Sequence, residues 1–188
     1  MPFSPFIFDR KMKHLLPFFI MSVTLMTTCS QQQTQMEQQT TQYPLPADVG
    51  TIDGLIKASY EVVSGEKGAP RQWERDQSLH HPKAIYSYTP RGTHKQVTMS
   101  LKEFHGETDD LVLADGFFEN EIGRKVQLYG NMAHVWSAYE TRTAKNGPVV
   151  ARGINSIQLY NDGHRWWIVS WVFDRESPDN KIPKDLIK

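Results

Sequence analysis

The sequence predicts an α+β domain in which helices cover one face of a curved, antiparallel-rich sheet. Stretches with apolar residues at helical spacing occupy the first half of the domain, and two long hairpins of alternating character fill the second. With 188 residues and 39% hydrophobic content, the chain holds one good-sized core and a tail rather than two domains.

Taken in order, residues 1–10 read as an upstream extension, because Lys11, Lys13 and His14 make a better basic start for a signal segment, with Met12 as initiator. Residues 15–28 are apolar, too short for a comfortable membrane span, and end at Cys29, the single cysteine. One cysteine excludes an internal disulfide and thiol-rich structural zinc sites. Leu25 to Cys29 resembles a bacterial lipobox, although Thr28 stands where alanine or glycine is usual. The reading is therefore a signal segment over 1–28 and a lipid anchor at Cys29, with plain signal cleavage as the alternative. Residues 29–47 carry the cysteine and a glutamine-rich tether that cannot fold alone. This places the protein in the bacterial envelope, held to the membrane or secreted to the periplasm.

The domain proper runs over 48–176. Ile52, Leu55, Ile56, Ser59 and Val63 recur at helical spacing, and Gly65 and Gly68 close that helix. Pro70 opens a second helix carrying Trp73 and Leu79, which His80-His81-Pro82 stops. Residues 84–89 and 97–99 are strand-like. Ser100 and Glu103 form a capping box for a third helix with Leu101, Phe104, Leu111 and Val112.

The first long hairpin spans 117–143 and turns at Gly130-Asn131. A two-residue turn pairs Leu128 with Ala133, Val126 with Val135 and Ile122 with Tyr139 on the apolar face. It sends Glu119, Glu121 and Glu140 to the polar face, and a bulge at Gly123 would turn Arg124 outward. The second hairpin spans 151–173. A three-residue loop of Asn161, Asp162 and Gly163 separates apolar from polar best and sets Asn155 opposite Val169, on one face with Ile157, Trp167, Trp171 and Phe173. Residues 177–188 read as a polar, frayed tail.

Several runs carry a family resemblance. They are 81–84 (HPKA), 116–122 (GFFENEI), 129–135 (YGNMAHV), 152–159 (RGINSIQL) and 165–170 (RWWIVS). In order and spacing they resemble the SnoaL-like branch of the nuclear transport factor 2-like superfamily. The resemblance implies a cone-shaped fold with N-terminal helices on the concave face of the sheet. It also implies a range of activities, from ketosteroid isomerases to polyketide cyclases and scytalone dehydratase, and domains that often pair through the sheet. Fold does not choose among these.

Chemistry of that kind needs an acid or base inside the cone. His105 and Asp109 sit four apart on one helix, which suits a base with an orienting carboxylate, but pairing on an exposed helix surface is the preferred reading. Glu119 would serve only in a different register. His80 and His81 read as a turn pair, without the spacing of a metal site. Trp73, Tyr86, Ser137, Tyr139, Asn155 and Trp171 are the candidate ligand-contacting residues, and Asn155 needs an internal or ligand partner. No phosphate loop or nucleophile motif appears, so no cofactor is implied.

Net charge is zero, with 21 basic and 21 acidic residues and no basic block, which excludes the footprint of a nucleic-acid binder. Removing 1–28 takes away Asp9, Arg10, Lys11 and Lys13, so 18 basic groups face 20 acidic ones. The preferred reading is an envelope-anchored domain that binds an apolar small molecule without catalysis. The alternatives are an isomerase, cyclase or dehydratase, and a protein-interaction module. A homodimer is expected through a sheet face carrying Trp136, Ile154, Trp166 and Ile168.

Overall fold

A computed structural model describes residues 41–187. The expected signal segment, Cys29 and most of the expected tether lie outside the described residues. Four helices and six strands follow in the order α1 (Pro46–Val49), α2 (Ile52–Val63), α3 (Trp73–Leu79), β1 (His80–Tyr88), β2 (Val97–Ser100), α4 (Leu101–Asp115), β3 (Phe118–Tyr129), β4 (Met132–Arg142), β5 (Ala151–Asn161) and β6 (Trp166–Arg175). The strands form one sheet in the order β2-β1-β6-β5-β4-β3, antiparallel except where β1 runs parallel to β6.

Two of the helices, α2 and α4, start at side-chain caps. Thr51 caps α2 by accepting a hydrogen bond from the Gly54 backbone N–H at 2.9 Å, and α2 buries Leu55, Ile56, Ala58, Ser59, Tyr60 and Val62. α3 begins at Trp73, not at Pro70, and its C-cap His80 already belongs to β1. The histidine pair expected to stop the helix therefore opens a strand. α4 carries the expected capping box, with Ser100 Oγ accepting from Glu103 N and Glu103 Oε2 accepting from Ser100 N. Arg75 on α3 ties the helices together, donating to both Asp48 oxygens at 2.8 Å and to Glu61. The core beneath them is Leu55, Ile56, Leu79, Val135, Ile157, Leu159 and Ile168.

Two bulges revise the register. On β3, Leu128 faces Ala133 and Val126 faces Val135, as the Gly130-Asn131 turn requires, but Glu121, not Ile122, pairs with Tyr139. Ile122 is the extra residue. One residue out of step exchanges faces, so Glu119 and Glu121 turn inward beside Thr141 and Tyr139. Arg124 remains on the side of Ser137 and bridges Glu121 at 2.8 Å and Asp53 at 3.0 Å. Glu140 stays outside, held by Arg142 and Arg152.

On β6, Val169 is extra. Asn155 pairs with Phe173 and Ile157 with Trp171, while Leu159 pairs with Ile168, and the loop has four residues, 162–165. Asp162 explains that length: Oδ1 accepts from the His164 and Arg165 N–H groups at 2.8 and 2.9 Å, and Oδ2 accepts from Trp167 Nε1 at 2.7 Å. Trp167 therefore leaves the core face and lies under the Arg165 guanidinium, 3.6 Å from its ring centroid.

The tail is not frayed. Ile182 and Leu186 pack on Ala138, Ile122 and Ile154 of the outer sheet face, and Lys125 pairs with Asp185. Gly123 permits this approach, because a Cβ there would run into the Leu186 carbonyl. With Ile168 and Trp166 in or against the core and Ile154 under the tail, less of the outer face is apolar than the expected dimer surface assumed. Trp136 remains 43% exposed on it.

Candidate functional site

α4 does not close on the sheet: its only buried residue is His105, and Leu111 is 70% exposed. Between them opens a cavity of about 960 Å³. One wall is aromatic. Tyr86 stacks against Phe104 with centroids 4.5 Å apart and lies parallel to Trp171 at 6.0 Å; Tyr88 stacks on Phe173 at 5.1 Å.

Two polar clusters face this space. The first stands on the sheet, where the bulge at Ile122 turns Glu119 into the cavity. Glu119 Oε1 accepts from Asn155 Nδ2 at 3.3 Å, and Oε2 has no hydrogen bond among the described residues. Burial in apolar surroundings is the main cause that raises the Glu119 carboxyl from 4.5 to about 7, against the lowering effects of Asn155, Arg175 and Arg71. Asn155 is fully engaged. Its Nδ2 also donates to Tyr60 Oη at 3.0 Å, and its Oδ1 accepts from Trp171 Nε1 at 3.0 Å. Tyr60 then donates to Ser137 Oγ at 2.7 Å, which donates to Glu121 Oε1 at 2.5 Å. Asn155 and Ser137 thus hold the wall without lining the cavity, and the amide has internal partners.

The second cluster joins α3, α4 and β1. His105 is buried, with Nε2 2.7 Å from Asp76 Oδ2 and Nδ1 2.8 Å from Asp109 Oδ1. The expected pairing of His105 with Asp109 exists, but with the imidazole buried and Asp109 half-buried, not on an exposed surface. Both ring nitrogens thus lie within hydrogen-bond distance of a carboxyl oxygen. Trp73 lies against the His105 ring, with centroids 3.8 Å apart and planes tilted by 50°, and is itself 40% exposed, outside the cavity. Asp76 also anchors His80, whose Nδ1 donates to the Asp76 carbonyl at 2.8 Å while Nε2 accepts from Tyr86 Oη at 2.7 Å. Burial lowers the His80 pKa, in keeping with this neutral ring.

Of the residues singled out from sequence, His105, Glu119, Tyr86, Tyr139 and Trp171 line the cavity, and Asp109, Ser137 and Asn155 support it. Asp76, Arg71 and Tyr60 carry no mark in the sequence reading, and His80, expected in a turn pair, instead opens β1 and meets Tyr86. The signal for Asp76 was an acid three residues before Leu79, on the buried face of a helix. Among the described residues no group of acidic, histidine or cysteine side chains is arranged to hold a metal.

No family model matches the chain, and no curated protein does. Solved structures share its fold. A protein of unknown function with a cystatin-like fold from Nostoc punctiforme is 8% identical, with a TM-score of 0.53 over 68% of this chain and 90% of that one. LinA is 12% identical, with a TM-score of 0.52 over 68% of this chain and 85% of that one. A looser likeness, TM-score 0.49 and 16% identity over 68% of this chain and 94% of the other, is to an NTF-2 like protein of unknown function from Silicibacter pomeroyi. At these identities likeness reaches the fold and no further. The six-stranded mixed sheet with helices packed on it agrees with the α+β arrangement that the residue runs imply. Fold and cavity together define an α+β domain with an open, aromatic-walled cavity between α4 and the sheet.

Proposed function

We propose that the domain is an acid–base enzyme of the isomerase or lyase kind, acting on a small, largely apolar molecule, with Glu119 moving the proton. The observation that carries this reading is the bulge at Ile122, which turns Glu119 into an aromatic-walled cavity with one oxygen unengaged. A carboxyl raised to about 7 releases and recovers a proton near neutrality, which is what general acid–base catalysis requires. Asn155, itself held by Tyr60, orients the carboxyl, and Asp76 and His105, the latter held by Asp109, add polar groups to the same cavity. Non-catalytic ligand binding was preferred from the sequence because no interior acid was visible there; Glu119 removes that ground. Anchoring at Cys29 in the bacterial envelope is proposed with it, on the order of basic start, apolar run, cysteine and tether.

The test uses 5-nitrobenzisoxazole, whose ring opens when a base takes the proton on C3: the N–O bond breaks and a coloured cyanophenolate is released. Wild-type protein should open it at a rate that rises with pH through about 7, and Glu119→Gln should lose at least about tenfold. Equal rates for the two proteins would overturn the reading.

A further inference from the structure

We infer that Arg71 is the seat for a planar oxygen acceptor, the carbonyl or carboxylate oxygen of an aromatic ligand lying in the cavity. The inference rests on the cavity being the working site, as proposed above. Arg71 lines it, and its side chain is only 11% exposed. Among the described residues its Nε is the single buried side-chain polar atom without a partner, and no other nitrogen of the guanidinium makes a hydrogen bond. Buried guanidinium groups ordinarily engage several acceptors.

The nearby carboxylates do not fill that role. Asp109 Oδ1 lies 3.6 Å from Arg71 Nη2, beyond hydrogen-bond reach, and already accepts from His105 Nδ1 at 2.8 Å. Asp76 Oδ2 accepts from His105 Nε2, and Glu119 Oε1 from Asn155. These acids ease the burial of the positive charge and leave its N–H groups unused. The guanidinium fork suits an sp² oxygen in its own plane, and the walls beside it, Phe104, Tyr86 and Trp171, suit a flat ring.

Three probes of one shape separate the possibilities: 2-naphthoate, 2-acetonaphthone and 2-ethylnaphthalene, titrated by quenching of intrinsic tryptophan fluorescence. One or both oxygen-bearing probes should bind the wild type about tenfold tighter than the hydrocarbon, the effect of one buried hydrogen bond. Preference for naphthoate assigns an anionic ligand, and preference for the ketone a neutral one. In Arg71→Met the advantage should shrink to about threefold or less while the hydrocarbon binds as before. Equal wild-type affinities for all three, or an advantage that survives Arg71→Met, overturns the inference; if that variant fails to fold, the wild-type comparison still decides. Benzisoxazole opening that depends on Glu119 together with no oxygen preference sinks the Arg71 assignment alone. The reverse pattern sinks the Glu119 reading alone.

Discussion

Replacing Glu119 by Gln removes a titrating group while keeping the side chain's size and its acceptor for Asn155. The wild-type carboxyl, raised by burial from 4.5 to about 7, binds a proton in the folded state over a pH range where the unfolded chain has released it. A raised folded pKa means that the stability it contributes is complete below the unfolded value and is lost as pH climbs through the folded one. The shift corresponds to about 3 kcal/mol. The unfolding free energy of the wild type should therefore fall relative to that of Glu119→Gln by up to about 3 kcal/mol between about pH 4 and pH 8.5. Urea unfolding followed by circular dichroism at several pH values measures this, and subtracting one protein from the other cancels the remaining acids. Parallel curves for the two proteins would show that Glu119 is solvated like an ordinary surface acid and that the inward turn at Ile122 is wrong.

Asn155→Leu leaves Trp171 Nε1 without an acceptor and should destabilise the domain by about 1 to 3 kcal/mol in urea; an unchanged midpoint would mean that the indole N–H had found water. Asp76→Ala strips His105 Nε2 of its carboxyl partner and should cost about 1 to 3 kcal/mol, the range for leaving a buried polar group unsatisfied, with an unchanged urea midpoint as the contrary result. Gly123→Ala pushes against the Leu186 carbonyl, so limited proteolysis should cut the tail sooner while the sheet survives; equal cleavage rates would deny the packing. Cys29→Ser should move the full-length protein from the membrane fraction to the soluble one, and unchanged partitioning would refute lipidation at that residue.

What could be seen in the sequence was whatever obeys a period or a local motif. The capping box at Ser100 and Glu103, the spacing of Ile52 to Val63, the Gly130-Asn131 turn and the inward place of Asn155 all follow from neighbours a few residues away. What was missed depends on single residues that interrupt a period. Ile122 and Val169 each add one position to a strand, and alternation read across them assigns every residue beyond to the wrong side. Alternation carried across them therefore assigns Glu119 to solvent and Trp167 to the core. Asp76 escaped because its partners, His105 and His80, come from different elements, and its seven-residue helix is too polar for apolar spacing to mark its buried face. The tail's two apolar anchors, Ile182 and Leu186, are four apart in a segment rich in proline and charge, which offers no period to read.

The extra residue at Ile122 also governs how this strand should be set beside those of other proteins. Matched to a strand without the bulge and with no gap allowed, the segment after Ile122 lines up correctly and the four residues before it slip by one, so Asn120 falls on the column that belongs to Glu119. A profile built that way would report no acid at the cavity position and an acid at a solvent position. Placing a one-residue gap opposite Ile122 restores the column, and searches for relatives that share this carboxyl should be scored with that gap permitted.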